Sequence, residues 1–223
     1  EKITTSSGLN LKTSLVMSDF RVEVTQVTSN EAVNEAASFV TGNKVRVPLK
    51  KWLASEHSPI RDLIFKIDFY GIKNYVAAHL KTYNRDVISN ITESNRRDYA
   101  AKYGKQVSDD RETPTNHHMV LNAAAMIKIS RDRICNEASV DTIKVWRAVR
   151  EEVRKVNPEM ALFMVPECVY RNGLCPHFHS KCHYFNTNKF KEELEIYKQS
   201  FRYEGKGQVD KSDNIERGRH TVV

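Results

Sequence analysis

Two short stretches alternate apolar and polar residues with a period of two: FRVEVTQV at 20–27 and LIFKIDFY at 63–70. Successive side chains of an extended strand point to opposite faces. Such alternation therefore describes strands with one face on a core and one in water. A chain that carries them must build a sheet and cover one side of it.

Segments with helical spacing supply the cover. SNEAVNEAASFV reads as a helix capped by Ser29 or Asn30. IKNYVAAHLKTY follows the second strand, which Gly71 ends. From Asn116 the run NHHMVLNAAAMIKISRDRI reads as one long helix. Another runs from a Ser139 cap to Val156, with Ile143, Trp146, Val149, Val153 and Val156 as its core-facing stripe and Pro158 as its stop.

The 223 residues suffice for one generous domain, and residues 19–185 are expected to form it. Residues 1–18 are polar and Ser/Thr-rich, which predicts a flexible arm. Residues 186–223 read as a charged helix (KFKEELEIYKQSF) followed by a tail whose composition predicts disorder. The stretch 84–115 is polar and rich in Asn, Asp and Arg. A loop of that length is expected to be functional or mobile. No signal peptide is visible, and no apolar run approaches the ~20 residues of a membrane span, so no membrane partner is expected.

The net charge of +7 favours anionic partners such as nucleotides, nucleic acid or phosphorylated cofactors, or else simple solubility. Arg85, Arg96, Arg97, Arg131 and Arg133 offer bidentate forks for phosphate, or are solvated surface charges. His57 and Ser58 precede a strand, and His79 lies on the next helix. Each is structural or catalytic on this reading. No G-x-S-x-G elbow, P-loop or G-x-G-x-x-G occurs, which argues against a hydrolase of that type and against a dinucleotide-binding Rossmann enzyme.

The stretch PECVYRNGLCPHFHSKCHYF, residues 166–185, holds three of the four cysteines. Cys168, Cys175 and Cys182 with His177 make one candidate zinc set. The cysteines are seven apart, so no C-x-x-C knuckle exists. Reduced cysteines packing a loop are the other reading, and four cysteines are too few for a disulfide-built fold.

Read in order, "EHSPIRDLIFKIDFYGIKNYVAAHL", "SNRRDY", "LNAAAMIKISRDRICNEAS" and "VPECVYRNGLCP" resemble the flavin-dependent thymidylate synthases, in their phage and bacterial branch. The resemblance implies an α+β fold with a twisted, mostly antiparallel sheet and long helices. It implies a homotetramer with active sites between subunits, in the cytoplasm of a bacterium or a phage-infected host. The implied activity is a methyltransferase reaction. A one-carbon unit moves from methylenetetrahydrofolate to C5 of dUMP or a related pyrimidine deoxynucleotide, with FAD reduced by NADPH.

The resemblance also implies site residues. Ser94, Arg96, Arg97, His79 and Arg133 would hold the nucleotide, with Arg133 polarising the uracil. His57, Ser58, Arg85, Asn122 and Glu137 would lie at the flavin. The cysteine stretch matches the family's C-terminal segment. The family's R-H-R, seven residues before Ser94, is Asn84-Arg85-Asp86 here. Arg61 replaces a Glu, and Glu137 stands at a His. Two alternatives follow: a relative that binds a pyrimidine nucleotide without flavin chemistry, and a Cys/His zinc-stabilised nucleic-acid binder. The chain lacks aromatic-basic interleaving of the RNP kind, so direct nucleic-acid binding is not expected.

Overall fold

The computed structural model describes residues 11–17, 19–82, 87–91, 102, 111–177 and 182–201. Its strands are β1 (Leu11–Val16), β2 (Arg21–Gln26), β3 (Ile64–Lys73), β4 (Val87–Ile91) and β5 (Pro114–Asn122). They form one antiparallel sheet in the order β1-β2-β3-β5-β4. The helices are α1 (Glu31–Thr41), α2 (Leu49–Ser55), α3 (Asn74–Lys81), α4 (Ala123–Arg133), α5 (Val140–Val156), α6 (Pro158–Phe163), α7 (Glu167–Tyr170) and α8 (Asn188–Ser200). The class is α+β, as expected.

Alternation sorts the sheet into two faces. Val24, Ile67 and Met119 share a row and are fully buried. The next row, Glu23, Asp68, His118 and Asn90, looks the other way. There His118 Nδ1 lies 2.6 Å from Asp68 Oδ1. Burial opposes ionisation of Asp68, but hydrogen bonds from His118 and Lys66 hold its carboxyl below the usual range. Helix α5 packs against β1 and β2. Its buried stripe includes Trp146, Val149, Val153 and Val156, and Ile143 is half-buried. Trp146 is enclosed, and its indole N–H donates to Ser130 Oγ at 2.8 Å. Ser139 caps the helix by accepting from Thr142 N–H. Asn157 follows α5, and Pro158 opens α6 rather than only closing what precedes it.

Four sequence expectations change. Residues 11–16 are strand, not arm. They pair with β2, and Thr13 Oγ1 donates to the Glu152 carbonyl at 3.1 Å. The helix expected from Asn116 begins at Ala123. Residues 114–122 form a strand whose buried positions, Thr115, His117, Met119 and Leu121, recur every second residue. Gly71 does not end β3. It adopts φ +71 at a register shift between Phe69 and Ile72, a left-handed conformation that glycine adopts without a Cβ clash, and pairing resumes at Ile72. Asn30 precedes α1 without a side-chain cap. Its Oδ1 instead accepts from Gln26 and Asn157 in a polar cluster that ties α1 to the end of α5.

His117 faces inward from β5 and is 2% exposed. Its ring stacks on Phe69 at 5.6 Å, and its Nε2 lies 2.6 Å from Ser89 Oγ on the edge strand β4. Burial first, then His118 and Lys81, push its pKa down to about 4, so the ring is neutral. No helix among the described residues is long and apolar enough to cross a membrane.

Candidate functional site

A cavity opens where the start of β3 meets the end of β5. Ile64 pairs with Asn122, and the Ala123 N–H donates to the Leu63 carbonyl at 2.9 Å. The strand therefore passes directly into α4. Asn122 caps the new helix by accepting from Ala125 N–H at 2.9 Å. The first turn of α4 thereby faces a hollow of about 310 Å³. Across from it stand His57 and Ser58, which lead into the 3₁₀ turn Ser58–Asp62.

The chemistry of the lining is cationic. Arg61, Lys128 and Arg131 line the cavity, and Glu56 is the acidic residue among them. Positions 122, 125, 128 and 131 all contribute, so a single face of α4 is presented. The guanidinium and ammonium groups together suit a phosphate or another oxyanion. Arg131 is well held. Its Nη2 contacts Glu56 Oε1, and its Cζ lies 3.5 Å over the Tyr170 ring.

Arg133 leaves α4 on another side, because residues two apart on a helix do not share a face. Its Nη2 donates to the His79 carbonyl at 3.2 Å and approaches Thr82 Oγ1 at 3.4 Å. The His79 ring lies edge-on to Tyr75, with Nδ1 3.4 Å from Thr142 Oγ1. Burial, then the Arg133 and Arg111 charges, lower the pKa of His79. Arg111 lies over the Tyr75 ring at 4.8 Å. Helix α4 thus carries two cationic stations, one at the cavity and one at the end of α3.

The residues expected at the site fall into groups. His57, Ser58 and Asn122 come together in the cavity. His79 and Arg133 come together at the second station. Glu137 joins neither: it is exposed in the turn after α4, beside Cys135. Arg85, Ser94, Arg96 and Arg97 lie outside the described residues. Glu56 and Lys128 were not singled out in the sequence, and Arg131 was noted only as one of several arginines. The threefold spacing of Asn122, Ala125, Lys128 and Arg131 was the signal that could have found the α4 pair.

The zinc set does not assemble among the described residues, where no group of three His, Cys, Asp or Glu side chains is placed to hold a metal. Cys168 is buried in α7, and the Cys175 thiol sits 3.8 Å from the His177 carbonyl. Burial, together with the nearby thiols of Cys135, Cys175 and Cys182, pushes Cys168 up to about 12. With no metal beside it, Cys168 is therefore a protonated, packed thiol.

The cavity fits part of the flavin cofactor that the resemblance implies. Its volume is near the lower end of the ~300–1,000 Å³ typical of ligand sites. Its donors match phosphates, but among the described residues its only lining ring is the His57 imidazole, with no Phe, Tyr or Trp. The phosphate-bearing portion of a dinucleotide, or a mononucleotide, suits it better than a flavin ring does.

No protein-family profile and no curated protein sequence matches this chain. Among solved structures, the chain is similar to a UMP/dUMP methylase, PolB from Streptomyces cacaoi, bound with 5-Br dUMP. The match has a TM-score of 0.50 and 12% identity, and covers 66% of this chain and 95% of that one. At that identity the likeness establishes a shared fold.

Proposed function

We propose that this chain is a pyrimidine-nucleotide methyltransferase of the flavin-dependent thymidylate synthase kind, acting at C5 of dUMP or a close relative. The carrying observation is the pair of cationic stations that α4 presents in different directions: His57, Ser58, Arg61, Asn122, Lys128 and Arg131 at one, His79 and Arg133 at the other. Two separate stations suit a reaction that must hold two anionic partners at once. The fold shared with a methylase of UMP and dUMP supports the substrate class.

In this reading the cavity holds the phosphates of FAD through Arg61, Lys128 and Arg131. The second station holds the nucleotide, with Ser94, Arg96 and Arg97 completing its phosphate clamp. Arg133 stands beside the uracil, where a fixed cation stabilises negative charge that develops on a carbonyl oxygen. A reduced flavin, when bound, supplies the hydride that such a transfer needs. NADPH and methylenetetrahydrofolate are the expected co-substrates, a homotetramer the expected assembly, and the cytoplasm the expected location.

A second reading, nucleotide binding without flavin chemistry, is favoured by one observation: among the described residues no Phe, Tyr or Trp ring lines the cavity to stack a flavin. Purified protein distinguishes the two by colour. Flavin absorbance, together with thermal stabilisation by dUMP, supports the first. A colourless protein that dUMP still stabilises supports the second, because a ligand that binds only the native state raises its stability. No response to dUMP sinks both. Arg133→Ala is expected to abolish dUMP-dependent activity while far-UV circular dichroism stays unchanged. Near-native activity would remove Arg133 from the site.

A further inference from the structure

We propose that Glu56 is a displaceable counter-ion, which occupies Arg131 until the phosphate of a ligand takes its place. This rests on the reading of the cavity as a phosphate site. The Glu56 carboxylate meets Arg131 Nη2 within the cavity lining, where it stands against Arg61, Lys128 and Arg131. A carboxylate and a phosphate compete for the same guanidinium fork.

Three features make the exchange feasible. The Arg131 side chain is 16% exposed and held from above by Tyr170, so the guanidinium stays in place when its partner leaves. Its buried Nε meets no acceptor among the described residues, so one carboxylate does not saturate its five donors. Glu56, by contrast, is 35% exposed and has solvent to swing into.

The backbone argues that this carboxylate is not there for the helix. Glu56 is the C-cap of α2 at φ +51, a left-handed conformation in which glycine is the favoured residue. A side chain at this position costs backbone strain, and its contact with Arg131 is the compensation the structure offers. The consequence for function is selectivity. A weakly charged or neutral molecule does not displace Glu56, whereas a di- or polyphosphate does.

Titration calorimetry with inorganic pyrophosphate tests this on the full chain. Glu56→Gln and Glu56→Gly are both expected to bind about threefold more tightly or better, the scale on which a part-exposed ion pair acts. The glycine variant suits the left-handed backbone, so it guards against a folding defect in the other. Lys128→Ala is expected to bind more weakly than wild type. Equal or weaker binding in both Glu56 variants, with wild-type binding intact, overturns the counter-ion role and leaves the phosphate site standing. Absence of pyrophosphate binding in every form overturns the phosphate site itself, and the counter-ion with it.

Discussion

His117 shows how one side chain sets an acid limit. Its folded pKa of about 4 lies below the ordinary histidine value near 6.5 because the ring is buried, with His118 and Lys81 adding to the effect. Above pH 6.5 the ring is neutral folded or unfolded, and its full contribution is present. As pH falls from 6.5 to about 4 the unfolded chain takes up a proton that the folded chain refuses, so stability declines. Below about 4 the loss levels off. At 1.36 kcal/mol per unit the contribution at stake is roughly 3 kcal/mol. Urea denaturation across pH 4–7 is expected to show this slope. The double replacement Ser89→Ala/His117→Phe is expected to flatten it, since it removes both hydrogen-bond partners together. At this scale the sequence was partly legible. His57, Ser58 and Asn122 were expected at one site from a family resemblance, and the fold brings them to one cavity. Glu56 was not, because its partner Arg131 is 75 residues away and no local pattern announces the pairing.

Among the elements, α4 joins fold to site. Its cap, Asn122, is also a cavity residue. Asn122→Ala is expected to cost about 1 kcal/mol in chemical denaturation, the usual price of a lost N-cap. Asn122→Asp keeps an accepting oxygen and should hold stability, yet weaken pyrophosphate binding by setting a negative charge against the cations. Equal binding by Asn122→Asp and wild type would separate the cap from the site. The start of α4 was misread in the sequence for a physical reason. Met119, Leu121 and the apolar run after them fit a helix as well as a strand, and the period-two signal sits in Thr115 and His117, polar residues that are buried here.

For the molecule as a whole, the least legible feature was the strand order. Antiparallel neighbours β2 and β3 are separated by two helices, and β5 inserts between β3 and β4. β1 hides in a polar segment because its residues Lys12 and Ser14 face solvent at an edge, where apolar alternation is weak. It nevertheless closes the flank of β2 and touches α5. Removing residues 1–16 is expected to lower the urea midpoint and to raise light scattering on concentration, because β2 would become a bare edge ready to pair with another chain. Unchanged behaviour would make β1 dispensable.

The rod between the two stations has a mechanical corollary. An α-helix advances about 1.5 Å and turns about 100° per residue, so α4 works as a caliper whose jaws cannot be opened independently. Inserting a single alanine after Ile127 would swing Arg131 and Arg133 round the axis together, spoiling both grips at once. Evolution can retune either jaw by substitution, but it cannot change the gap between them without rebuilding the helix.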